Sequence, residues 1–135
     1  MARAFSDACA EMEEKAARLA AMRDEVQAGL LEIHDSRLNG DPENRLPGNL
    51  NVSFSGIDGQ SLLFDLDLQG LAASSGSACA SGSVDPSHVL MAIGIPYEMA
   101  HGSLRISLGR YNTREEARKI VNIVSEVVAR LRGEA

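Results

Sequence analysis

The chain has no tryptophan, only two tyrosines, three phenylalanines and two cysteines. Positive charge is also scarce: 13 basic against 19 acidic residues leave a formal net charge of -6. A nucleic-acid groove needs clustered Lys and Arg to offset phosphates, so no nucleic-acid partner is expected. Lysine is scarcer still, with only Lys15 and Lys119 present, and Schiff-base chemistry requires a lysine amine. The two cysteines lack CxxC spacing, which excludes a zinc knuckle and a disulfide framework and makes reduced thiols in a cytoplasmic setting the expectation. No apolar run reaches the roughly 20 residues of a membrane span, and the charged start ARAFSDACAEMEEK is no signal peptide. Neither membrane nor export is expected. Three histidines, His34, His88 and His101, share no metal-ligating spacing, so structural roles are expected for them and no metal site.

What is present is enough to fold. Hydrophobic residues make up 44% and charged residues 24% of 135 positions, an ordinary soluble composition at the common size of one domain. We read residues 1–135 as a single unit, with a long connecting helix over 1–30 and a small α+β domain over 31–135. Phe5, Cys9, Met12, Ala16, Leu19, Val26 and Leu30 recur at three-, four- and seven-residue spacings, which predicts one amphipathic helix over 4–30 with Cys9 as a small buried hydrophobe. EIHDSRLNG offers a short strand that includes His34. NLNVSFSG alternates Leu50, Val52 and Phe54 against Asn51, Ser53 and Ser55, the period of a half-buried strand. Asp58 caps a helix carrying Leu62, Leu63 and Leu66, stopped at Gly70, and LAASSG reads as a short strand. Asp85 as N-cap and Pro86 as first helical residue start the next helix, stopped by Gly94 and Pro96. SLRISLG alternates Leu104, Ile106 and Leu108 against Arg105 and Ser107, and Thr113 with Glu116 forms a capping box for a last helix. The sum is an α+β fold: a small, mostly antiparallel sheet of about four strands with about four helices packed on it.

Cys79 sits among Ser77, Ala78, Ala80, Ser81 and Gly82, neighbours with no bulk to bury it and no cation to hold it. A mobile, exposed thiol in segment 76–84 is therefore expected, of the kind that reaches a substrate in one step and an acceptor in another. The same glycine- and serine-rich stretch could in principle cradle phosphate at a helix start, but it lacks GK[ST], GxGxxG and any basic residue. Arg105 stands on the polar side of its strand, where a guanidinium is either solvated or a planar fork for a carboxylate.

The stretches SSGSACASGSVDPSHVL and AHGSLRISLGRYNT, preceded by LNGDPENRLPGNLNVSF and LAASSG, resemble the cysteine desulfurases of the NifS/IscS type, pyridoxal-phosphate enzymes of aminotransferase class V. The resemblance covers nearly the whole chain and implies the C-terminal small domain of a fold-type I enzyme. It implies that Cys79 takes sulfur from L-cysteine as a persulfide while alanine is released. It also implies that Arg105 binds the substrate carboxylate and that an iron-sulfur scaffold or another acceptor protein receives the sulfur. Pyridoxal phosphate would be held by a large domain absent from this sequence, with no cofactor-binding residue here. The complete enzyme would be a homodimer, and this chain, an excised fragment or half of a split enzyme, would be inactive alone. Two competing readings are a non-catalytic interaction module and a stand-alone thiol or persulfide carrier.

Overall fold

A computed structural model describes residues 1–75 and 85–134. The segment 76–84, with Cys79 and the mobility expected for it, lies outside the described residues. Three strands form one antiparallel sheet in the order β1-β2-β3: β1 (Ser36–Leu38), β2 (Asn49–Phe54) and β3 (Ser103–Ser107). Six helices surround it among the described residues: α1 (Ala2–Ala10), α2 (Met12–Leu31), α3 (Gly59–Leu68), α4 (His88–Ala92), α5 (Tyr97–His101) and α6 (Arg114–Arg132).

The alternation in the two longer strands decides which face of the sheet is dry. Leu50, Val52 and Phe54 of β2 and Leu104 and Ile106 of β3 are all buried on one side, and the register pairs Leu50 with Ile106 and Val52 with Leu104. Onto this layer pack Met22, Val26 and Leu30 of α2, Leu62 and Leu66 of α3, and Ala117, Ile120, Val124, Val127 and Val128 of α6. The α6 stripe recurs every three or four residues, so one face of the helix is continuous with the core. Its start is fixed by the predicted capping box: the Thr113 hydroxyl accepts from the Glu116 amide, and the Glu116 carboxylate accepts from the Thr113 amide at 2.8 Å. Asp58 caps α3 as expected, its carboxylate accepting from the Ser61 amide at 2.8 Å.

The structure departs from the sequence reading in five places. The helix over 4–30 is two helices, broken at Glu11 (φ -103, ψ 2); α1 buries no residue, so tertiary packing does not hold it in line with α2. Cys9 is consequently exposed rather than buried. Among the described residues the sheet has three strands rather than about four, because LAASSG contributes only an isolated bridge at Ser74 there. His34 lies in the turn before β1 rather than within it. Finally, Asp85 does not cap a helix: α4 begins at His88 after Ser87, whose extended ψ of 124 delays the first turn, and a separate α5 follows. The Asp85 carboxylate instead faces the Tyr97 hydroxyl at 3.4 Å.

Candidate functional site

Arg105 is the one predicted site residue within the described structure. It lies in the middle of β3, whose two edges are both engaged near it. On one side Arg105 pairs with Asn51 of β2. On the other, the Arg105 amide donates to the Ser74 carbonyl at 2.6 Å and the Ser74 amide donates to the Arg105 carbonyl at 3.2 Å. This reciprocal pair is the hydrogen-bonded unit of an antiparallel ladder. It ties the chain leading to Cys79 directly to the backbone of the arginine.

Alternation places Arg105 on the polar face, opposite Leu104 and Ile106, and it is half-buried. Its cross-strand neighbour Asn51 belongs to a small polar network: the Asn39 side-chain amide donates to Asn51 Oδ1 at 2.6 Å and to Ser53 Oγ at 2.8 Å. Asn39, Ser53 and Ser103 are all buried. Buried polar groups on a strand are tolerated when they bond one another, and here they also fix the β1–β2 register beside Arg105.

A second set of polar residues lies where the Cys79 segment leaves and returns. His101, at the end of α5, holds Nδ1 3.5 Å from Asp58 Oδ1, and its ring lies 6.4 Å from that of Tyr97. The Asp58 carboxyl is held below the ordinary carboxylate range, chiefly by hydrogen bonds from the Ser61 amide and hydroxyl, with His101 adding to the same direction. A depressed carboxyl stabilises the fold above its ordinary pKa, and that stability is lost as pH falls through the lowered value. Asp58→Ala should therefore cost about 1 kcal/mol at neutral pH, and the difference from wild type should shrink below about pH 4. Urea denaturation across pH 3 to 7 checks this; a gap that persists undiminished at the acid end would contradict it.

Sequence reasoning missed these groupings for a common reason. Asp58 was legible as a helix cap, but its second partner His101 comes from a distant part of the chain, and no local signal connects them. The same holds for Tyr97 and Asp85. Ser74 could have been found from LAASSG, which was read as a strand and is in fact the bridge to β3.

Comparison with known proteins fits this architecture. The family model described as aminotransferase class-V matches residues 4–120. The chain belongs to this family. Among curated relatives, this class-V chain is 49% identical over 122 residues to cysteine desulfurase IscS 1 of Archaeoglobus fulgidus, covering 90% of the chain and 32% of the relative. It is 47% identical over 122 residues to cysteine desulfurase NifS of Azotobacter vinelandii, covering 90% of the chain and 30% of that protein. A solved structure titled NIFS-like protein superposes with a TM-score of 0.82 at 31% identity, over 95% of this chain and 32% of the other. The class-V chain thus spans about a third of the length of the relatives it matches.

Those relatives imply pyridoxal phosphate in the full-length enzymes, but the described residues of this class-V chain do not fit it. A Schiff-base lysine must be able to give up its proton, which burial or a neighbouring cation promotes. Lys119 does the reverse: its ammonium bonds Glu115 at 2.8 Å on the exposed surface of α6, and that contact raises its pKa. Lys15 is bound to Glu11, one turn away on the surface of the N-terminal helices. Among the described residues no helix is long and apolar enough to cross a membrane, and no group of three His, Cys, Asp or Glu is placed to hold a metal ion.

Proposed function

We propose that this chain is the part of a cysteine desulfurase that supplies the sulfur-accepting thiol, Cys79, and the carboxylate-binding arginine, Arg105, with pyridoxal phosphate held by residues outside this sequence. The observation that supports it most is the two-way backbone bond between Ser74 and Arg105. Five residue steps separate Ser74 from Cys79, and at no more than about 3.6 Å each they keep the cysteine within about 18 Å of that anchor. The thiol is therefore tethered, through five residue steps and a pair of backbone hydrogen bonds, to the neighbourhood of the arginine that would grip its substrate.

In this reading the Arg105 fork holds the carboxylate of L-cysteine through two parallel N–H bonds. The Cys79 thiolate then attacks the substrate sulfur. An S–S bond forms to Cys79 as the substrate C–S bond breaks; the electron pair of that bond stays with carbon, which takes up a proton and leaves as alanine. Pyridoxal phosphate, held outside this sequence, would supply the electron sink for that carbon. The persulfide is next attacked by a thiol of an acceptor, for which an iron-sulfur assembly scaffold is the natural partner in a reducing cytoplasm. The complete enzyme is a homodimer, and this chain alone does not turn over.

The arginine assignment gives a kinetic test. In the complete enzyme, Arg105→Lys keeps the charge and loses the planar fork, so KM for L-cysteine should rise about tenfold, while kcat falls less. Steady-state kinetics with an unchanged KM would remove Arg105 from the substrate site. The alternative reading as an interaction module is favoured by α1, whose Phe5 is 72% exposed and is followed by Met12 at 61%. Association through α1 without any sulfur loading of Cys79 would support that alternative.

A further inference from the structure

Asn51 faces Arg105 across the sheet, and the backbone decides how closely. The Arg105 amide and carbonyl both bond Ser74, so they point away from β2. The Asn51 carbonyl accepts from the Asn39 amide at 2.9 Å and so points toward β1. Asn51 and Arg105 therefore form a non-hydrogen-bonded pair of the antiparallel ladder, the kind whose Cα atoms approach to about 4.5 Å and whose side chains stand closest on their shared face. Asn39 settles which end of the Asn51 amide is turned to that neighbour. Its Nδ2 donates to Asn51 Oδ1 at 2.6 Å and to Ser53 Oγ at 2.8 Å. The Asn51 oxygen is thus engaged on the β1 side, and the amide nitrogen, which can only donate, is turned away from it. Turned over, the Asn39 amide would leave two N–H groups bare in a residue only 4% exposed, in place of the one oxygen, Oδ1, that has no partner among the described residues. Two orphaned donors cost more than one under-satisfied carbonyl. Asn39 is pinned at its backbone too, where Arg45 Nη2 donates to its carbonyl at 2.9 Å while Arg45 Nε holds the Asp41 carbonyl at 2.7 Å.

We propose that Asn51 is a second carboxylate-binding residue of the substrate site, donating from Nδ2 beside the Arg105 fork, and that Asn39 is the positioning residue that keeps this donor in place. This rests on the reading of Arg105 as the carboxylate clamp. An amide beside a guanidinium can act in two ways. With its oxygen open, it accepts from the guanidinium and draws the fork down onto the sheet. With its oxygen already taken by Asn39, it adds its own N–H groups to those of the fork, and a set made only of donors suits an anion with two oxygens. Asn51 is half-buried, within reach of a ligand on the polar face, whereas Asn39 is buried and acts through Asn51.

Cysteamine, which is L-cysteine without its carboxylate, separates carboxylate recognition from a general disturbance of the site. In the complete enzyme, Asn51→Asp exchanges the donor for a negatively charged acceptor at almost unchanged shape. KM for L-cysteine and the inhibition constant of L-alanine should each rise at least about tenfold, with kcat changed by less than about threefold, while the inhibition constant of cysteamine stays within about twofold of wild type. Asn39→Ala frees the Asn51 amide to turn over without placing a charge in the interior, and should raise the same two carboxylate-dependent constants about threefold and leave cysteamine alone. Asn39→Ser, polar but too short to span to Asn51 Oδ1, serves where Asn39→Ala does not fold. Equal rises for L-cysteine and cysteamine in Asn51→Asp, or no rise for either, overturn the proposal; a rise at Asn51→Asp with none in the Asn39 variants overturns the positioning role. Arg105→Lys is measured alongside. No effect on KM there refutes the carboxylate reading and this inference with it, whereas an effect there with none at Asn51→Asp refutes the inference alone.

Discussion

Cys79→Ala in the complete enzyme should abolish sulfur transfer, lowering alanine release from L-cysteine by at least about a thousandfold. The reason is chemical rather than structural. Alanine offers no lone pair to accept the substrate sulfur, so the S–S bond has no atom to form on and the C–S bond has no route to break toward this chain. Arg105 is untouched by the change and stays paired through its backbone to Ser74, so the variant should bind the product L-alanine with an affinity within about threefold of wild type. Loss of turnover with retained binding is the signature expected of a nucleophile. Cys9→Ala, by contrast, should leave the rate unaltered, because Cys9 is exposed on a helix that buries nothing. Sulfur release by Cys79→Ala at a rate within tenfold of wild type would mean that another group accepts the sulfur.

Gly102→Ala should be the most damaging single-methyl change in the described structure. Gly102 joins α5 to β3, and a Cβ there would stand 2.2 Å from the Phe54 carbonyl oxygen and 2.9 Å from that of Ile57. Both obstacles are backbone. Phe54 is fully buried at the end of β2, and its amide already bonds the Gly102 carbonyl, so neither chain can retreat without breaking the packing of α5 on the sheet. Overpacking of this kind costs about 3 kcal/mol. Gly56→Ala supplies the contrast: its φ of +72 is strained for alanine, but nothing lies within 4 Å of the added carbon. That change should cost about 1 kcal/mol. Urea melts of both variants decide between the two mechanisms, and a Gly102→Ala midpoint no lower than that of Gly56→Ala would refute the packing argument.

Periodicity carried most of the fold. The alternation through Leu50, Val52 and Phe54 and through Leu104, Ile106 and Leu108 identified the two central strands, and the Thr113–Glu116 box with the stripe behind it identified α6. These signals are local and each is reinforced by burial of one face. The failures occurred where local and tertiary preferences part. Phe5, Cys9 and Met12 keep helical spacing, yet no neighbouring element covers them, so the pattern alone could not reveal the break at Glu11. Asp85-Pro86 has the composition of a helix start, but the carboxylate is drawn to Tyr97 and the helix begins later. LAASSG reads as a strand, but its small residues bury little, and one bridge to Arg105 is all that its described residues form.

At the candidate site, the place of Arg105 on the polar side of β3 was legible, because a charge interrupts an otherwise apolar alternation; the expectation for Cys79 falls outside the described residues. The bond between Ser74 and Arg105 and the α5 contacts were not legible, since each joins residues far apart in the chain.

The most direct measurement is the mass of the Cys79 peptide during turnover. The complete enzyme is mixed with L-cysteine and pyridoxal phosphate, quenched by alkylation within the first turnovers, digested and compared with a sample treated with reductant. An added mass of about 32 Da on the Cys79 peptide, removed by the reductant and absent from the Cys9 peptide, is the predicted result. An enzyme that releases alanine while the Cys79 peptide never gains that mass would contradict the account.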